Sequence, residues 1–237
     1  MLKNFFNKIT SRITKEFEYL YTKIKINQYP NIRPLWVGNK YGGFFIYQES
    51  ISPQSVIYSF GIGEDTSFDE EMIRLFGVKI FAFDPTPRAI KWIKKKNNKK
   101  IIFSSYGIDI ENTERVFFMP KNPTFVSGSL VKTDNVGEEY IKVKVKNLET
   151  IMKEKGHNKL DVLKIDIEGS EYEILEQVLE KKIQIDQILV EFHDRFVKKG
   201  TLRRRKLIKD LEKAGYIVLA VSESFQEFSF IKKTLTD

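Results

Sequence analysis

Asp161-Val162-Leu163-Lys164-Ile165-Asp166-Ile167-Glu168-Gly169-Ser170-Glu171 is the stretch on which the reading of this chain turns. Residues 161–166 read as a core strand, and residues 171–182 as a helix. A strand running straight into a helix is one unit of an α/β sheet, and ligands of open α/β sheets bind at the carboxyl ends of the strands. Asp166 and Glu168 stand at such an end. Alternation along an extended chain puts both on one side. Two carboxylates there can position a cationic group and accept a substrate proton. Ser170 or Glu171 can cap the next helix, which leaves Asp166 without a structural reason.

Outward from this unit, strands and helices alternate. Towards the N-terminus the pattern gives strands at 56–60, 79–83 and 101–103, with helices at 68–76 and 88–96. Residues 35–47 read as two short strands around a turn, a flap ahead of the main fold. Between 109 and 148 the pattern changes to short β segments, clearest at 114–119 and 140–145, as in an insertion of hairpin character. A helical pattern at 148–155 leads back to the central unit. Beyond it come a strand at 185–192, a helix at 202–214, and a closing pair at 216–221 and 227–231. Such alternation predicts a mainly parallel sheet with helices on both faces.

The other strand ends carry the remaining chemistry. After the first core strand, Gly61 and Gly63 allow a tight turn and close backbone approach to a ligand. A dinucleotide fingerprint wants a further glycine at position 66, where Thr66 stands, so pyrophosphate is disfavoured. Glu64 and Asp65 come directly after the turn; they repel phosphate and suit an ammonium group. Asp84 ends the next strand, about twenty residues past the glycine turn, where a carboxylate can accept hydrogen bonds from ribose hydroxyls. At the end of the 185–192 strand, Glu191 and His193 share a face by alternation. An imidazole beside a carboxylate is a candidate general base at neutral pH. The same set has the oxygen and nitrogen ligands of a divalent-cation site; the reading adopted is metal-free. His157, in a polar loop, is given no role. Arg203-Arg204-Arg205-Lys206 reads as a solvated helix face, with attraction of an anionic substrate as a secondary use.

The 237 residues suit one α/β domain with a short extension. No cysteine occurs, so disulfides, thiolate zinc clusters and a cysteine nucleophile are excluded. The net charge of +8 is read as solubility, because no nucleic-acid-binding signature accompanies it. Residues 1–28 form a separate unit, a predicted basic amphipathic helix with Leu2, Phe5, Phe6, Ile9, Ile13, Phe17, Leu20 and Ile24 on one stripe. It would pack on its own domain, pair with a second copy, or lie on a membrane surface. Its scattered lysines argue against a cleaved signal peptide. The catalytic domain is expected over 29–237, in the cytoplasm or at the inner face of the membrane.

The chain resembles the FkbM-type methyltransferases. The resemblance rests on residues 163–175, close to a family signature, and on Tyr58-Ser59-Phe60-Gly61-Ile62-Gly63-Glu64-Asp65 and Phe83-Asp84-Pro85. Ser127-Gly128-Ser129-Leu130 and Ile188-Leu189-Val190-Glu191-Phe192-His193 add to it. It implies a Rossmann-like class I methyltransferase fold, a mainly parallel seven-stranded sheet with an antiparallel final strand. It implies S-adenosylmethionine as methyl donor and O-methylation, often of a sugar in a surface glycan, in polysaccharide biosynthesis, or of a secondary metabolite. Carried over, Gly61, Gly63 and Glu64 would cradle the methionine part, Asp84 would hold the ribose, Tyr106 and Gly107 would lie near adenine, and Asp166 would border the sulfonium. Glu168 would orient the acceptor, a small molecule or glycan. His193, oriented by Glu191 or Glu168, would take its proton. Two rivals share the fold: a nicotinamide-dependent oxidoreductase, and a non-catalytic binding or scaffold protein.

Overall fold

A computed structural model of the chain describes residues 29, 31–120 and 136–236. The basic helix expected over 1–28 and the Ser127–Leu130 segment lie outside the described residues.

Seven strands form the central sheet: β3 (Val56–Phe60), β4 (Lys79–Phe83), β5 (Ile101–Ser104), β9 (Leu160–Ile165), β10 (Ile185–Glu191), β11 (Tyr216–Val221) and β12 (Glu227–Lys232). Their spatial order is β11-β12-β10-β9-β3-β4-β5. The run from β10 through β9, β3 and β4 to β5 is parallel, and β12 enters antiparallel to both β10 and β11. From β3 the chain winds outward through β4 to β5, then returns to β9 on the other side of β3. The reversal puts the topological switch point between β3 and β9, where doubly wound sheets open a crevice.

Both faces are covered, for the reason the sequence shows: strand side chains alternate and both sets are apolar. Tyr58, Phe60, Leu163 and Ile165 pack on one face against α3 (Leu148–Lys155), α4 (Glu171–Glu180) and α5 (Gly200–Lys213). Ile57 and Val162 point to the other face, with α1 (Ser67–Phe76) and α2 (Pro87–Lys96). A short hairpin, β1 (Leu35–Val37) and β2 (Phe44–Ile46), buries Val37, Phe44 and Ile46 in that second layer. It is the predicted flap.

Local signals place the helix ends. Thr86 caps α2 by accepting from Ala89 N–H at 3.3 Å, with Pro87 in the first turn. Asn147 caps α3 through Thr150 N–H, and α3 and α1 end at left-handed Gly156 and Gly77. The insertion is a three-stranded sheet rather than a plain hairpin. β7 (Thr113–Pro120) and β8 (Val136–Lys146) pair antiparallel, and β6 (Gly107–Ile108) adds to β8 in parallel.

Candidate functional site

A cavity of about 940 Å³ opens at the carboxyl ends of β3, β4, β9 and β10. Its walls include Gly61, Gly63, Glu64, Asp84, Gly107, Asp166, Glu168, Glu191 and His193. The strand ends therefore bring together nine of the ten residues expected in the site. Tyr106 is the exception: it is absent from the lining, and its ring packs behind Phe83 at 5.6 Å between centroids.

The glycine turn is held by its neighbours. Gly61 has φ +77°, and a Cβ there would stand 1.6 Å from the Asp166 carbonyl oxygen. Only glycine lets the β3 turn pass this close to the end of β9. Asp84, 4% exposed, accepts from Gly63 N–H (2.9 Å), Thr86 N–H (2.8 Å) and the Thr86 hydroxyl (2.6 Å). Burial pushes its carboxyl above the usual range, and those hydrogen bonds pull the other way. Asp84 thus braces the turn from below. Glu64 is engaged by Arg88 (2.6 Å). Asp65 accepts from Ser67 N–H and from Asn39 Nδ2–H, both at 2.7 Å. Burial opposes ionisation of Asp65, but the bonds from Ser67 and Asn39 win and hold its carboxyl low. The acidic pair after the turn is therefore spoken for.

The opposite wall is built differently. His193 is 1% exposed, just past β10. Its Nδ1 is bonded to Glu171, itself fully buried at the start of α4. Its Nε2 faces Glu168 and Glu191, each at 3.4 Å, and Asp166 at 3.8 Å. Four carboxylates thus converge on one imidazole. Burial alone would lower the His193 pKa; the Glu171 bond and the charges of Glu171, Asp166 and Glu168 override it, pushing the ring up to about 10. Burial, then the charge of Asp166, pushes Glu191 up to about 8. The histidine read from the sequence as a candidate base thus stands within a cluster of carboxylates.

Several expectations change their physical basis. Asp166 and Glu168 do face the same cavity, but not by strand alternation. β9 ends at Ile165, and Glu168 sits on a turn with φ +60°. Ser170 makes no side-chain cap bond, and Glu171 turns inward to His193 instead of capping. Its signal was present: Glu171 falls on the stripe of α4 with Ile174, Leu175 and Val178, where a carboxylate needs a buried partner. Lys164 was also missed. It is 4% exposed within an apolar strand, lines the cavity, and its charge acts on Asp65 and buried Asp69. The basic run on α5 is a solvated face only in part, with Lys206 exposed. Arg203 bridges Glu173 and Glu176, while buried Arg204 donates to the Phe225 carbonyl (3.2 Å) and stands over the Phe228 ring. His157 packs on Phe81 and bonds Tyr58, away from the cavity.

A seven-stranded sheet of this order, with a crevice between a glycine turn and an acidic strand end, defines a Rossmann-like class I methyltransferase fold. The model of the methyltransferase FkbM domain matches residues 18–218. The chain belongs to that family. Among curated proteins it is 24% identical to the probable methyltransferase-like protein 24 of Rattus norvegicus over 166 residues, covering 69% of this chain and 39% of the rat protein. The human counterpart is 24% identical over 142 residues, covering 59% of this chain and 33% of the human protein. The chain thus spans well under half the length of these relatives. Among solved structures, a methyltransferase FkbM from Methylobacillus flagellatus aligns over 76% of this chain and 44% of its own, at 11% identity and TM-score 0.48. The fibrillarin pre-rRNA processing protein of Methanococcus jannaschii aligns over 78% of this chain and 69% of its own, at 15% identity and TM-score 0.45. Among the described residues no helix is long and apolar enough to cross a membrane.

Proposed function

We propose that this chain transfers the methyl group of S-adenosylmethionine to a hydroxyl of a sugar in a glycan or glycoconjugate. The observation that carries the reading is the cleft itself: the glycine turn and the acidic cluster face each other across one cavity, at the switch point of a methyltransferase-family sheet. The donor set suits a ligand with a cationic end, because the lining is rich in carboxylates at Asp84, Asp166 and Glu191. Gly61, Gly63 and Asp84 would hold the donor on one side, with Gly107 on the adenine side. Asp166 would border the positive sulfur.

When bound, S-adenosylmethionine supplies an electrophilic methyl group on a cationic sulfur. The protein's tasks are then alignment and proton uptake. The Asp166–Glu168–Glu191–His193 cluster would orient the acceptor hydroxyl and take up its proton. At the mouth, Tyr41 is 78% exposed on the β1–β2 turn and lines the cavity. Its placement supports an acceptor with a ring to stack on. Asn39 holds that turn by accepting from Tyr41 N–H (2.7 Å) and Gly42 N–H (2.8 Å).

Calorimetric titration with S-adenosylmethionine, and separately with NAD, tests the reading. Micromolar binding of the first alone is expected. Binding of NAD alone would overturn it. Donor binding with no turnover on any nucleotide sugar or glycan fragment would favour a non-catalytic protein on the same fold.

A further inference from the structure

The acidic wall holds more negative charge than a proton acceptor needs. Asp166, Glu168, Glu171 and Glu191 surround one imidazole, and half-exposed Arg195 stands 3.6 Å from Glu168. We propose that Asp166, Glu191 and His193 bind one divalent cation of the magnesium or manganese type. The proposal departs from the metal-free reading of the sequence.

The geometry carries this first. One ligand atom from each of the three residues lies within 4.8 Å of the other two. Asp166 lies just past β9, Glu191 ends β10 and His193 lies two residues on, so adjacent parallel strands set their spacing. A second observation concerns the burial and aim of the imidazole. His193 is only 1% exposed, and its Nε2 is aimed into the cluster, 3.4 Å from Glu168 and Glu191 and 3.8 Å from Asp166. Glu171 holds Nδ1 from behind. A buried carboxylate that fixes one ring nitrogen and turns the other towards carboxylates is the supporting arrangement of a metal-ligating histidine. Two carboxylate oxygens and one imidazole nitrogen, with the cavity in front, suit a hard octahedral ion that keeps open positions. Glu168 stays beside the ion as a nearby carboxylate.

The role of the ion rests on the methyl-transfer reading. At an open position it would hold the acceptor hydroxyl and favour its ionised form. The O–H bond breaks with its proton passing to Glu168, the O–C bond forms, and the S–C bond breaks with its electron pair left on sulfur.

The test uses the full chain, stripped with EDTA and titrated with manganese chloride while free Mn²⁺ is followed by electron paramagnetic resonance. One Mn²⁺ per chain is expected. Glu191→Gln and His193→Gln should each weaken binding by more than about 100-fold, and Glu171→Gln, which acts through His193, by about 10–100-fold. Circular dichroism melts and S-adenosylhomocysteine titrations run on the same samples. Glu191 is at the cavity wall, so Glu191→Gln keeps the test alive if the buried His193 variant fails to fold. Absence of saturable Mn²⁺ binding to folded wild type, or equal binding by wild type and Glu191→Gln, overturns the site. S-adenosylhomocysteine binding without Mn²⁺ binding removes the ion and leaves the methyl-transfer reading; Mn²⁺ binding without S-adenosylhomocysteine binding does the reverse.

Discussion

The two walls of the cleft are opposites. On the β3–β4 side, polar groups satisfy one another. Asp84 is filled by Gly63 and Thr86, Asp65 by Ser67 and Asn39, Glu64 by Arg88. On the β9–β10 side, four carboxylates crowd one histidine. The first wall is preorganised: it can receive a ligand without rearranging its own hydrogen bonds. The second gathers carboxylates, and clustered carboxylates in a partly buried site draw in protons or cations. The difference teaches a division of labour. Shape recognition sits on the satisfied wall, and proton and charge management on the crowded one.

The point where the walls touch should be the most fragile. Gly61→Ala drives a Cβ to 1.6 Å from the Asp166 carbonyl oxygen at a residue with φ +77°. Loss of cooperative folding, or destabilisation of more than about 4 kcal/mol by denaturant melts, is expected. A near-wild-type melt would mean the walls are not in contact there.

Changes away from that point should separate the walls. Glu191→Gln is expected to lower turnover by about 10²–10⁴-fold while S-adenosylhomocysteine binding stays within a few-fold. Equal losses in both would erase the division. Asp84→Ala should do the converse. It leaves the Gly63 and Thr86 donors without their buried acceptor, so donor affinity should fall about tenfold or more and stability by about 1–3 kcal/mol. Calorimetry and melts of one preparation read both.

The smallest effect lies behind both walls. Burial, then the charge of Lys155, holds the His157 imidazole below its ordinary 6.5, with the Tyr58 hydroxyl 2.8 Å from Nδ1. The unfolded chain therefore takes up this proton more readily. The contribution of a neutral His157 to stability is present above about pH 6.5 and is lost as pH falls below it. The melting temperature of wild type should drop more between pH 7 and 5.5 than that of His157→Gln, with S-adenosylhomocysteine affinity equal in the two at pH 7.

Much of the fold was legible because its signals are local. Apolar runs such as Val56–Phe60 and Ile185–Glu191 are strands buried on both faces, and Asn147 and Pro87 mark helix starts. Gly61, Asp84, Asp166 and His193 are legible because each stands at the carboxyl end of a core strand. Glu171, Lys164 and Arg204 were not, because helix-start acids and lysine- or arginine-rich runs usually face water. Their burial depends on partners 22 or more positions away for Glu171 and on rings at Phe225 and Phe228 for Arg204. Glu168 was placed on the correct side for the wrong reason, since its left-handed turn is set by the β9–α4 connection and not by the pleat.

By itself the sequence determined the alternation of strands and helices, the turn that only glycine permits, and the residue types at each strand end. Period, turn chemistry and charge are properties of neighbouring residues. Only the tertiary structure decided that β9 lies between β3 and β10, so that Asp166 and His193 meet across from Gly63. It also decided which charges stand in pairs and which crowd together. Those outcomes rest on distances between residues remote in the chain and on the water excluded around them, and neither exists until the sheet has closed.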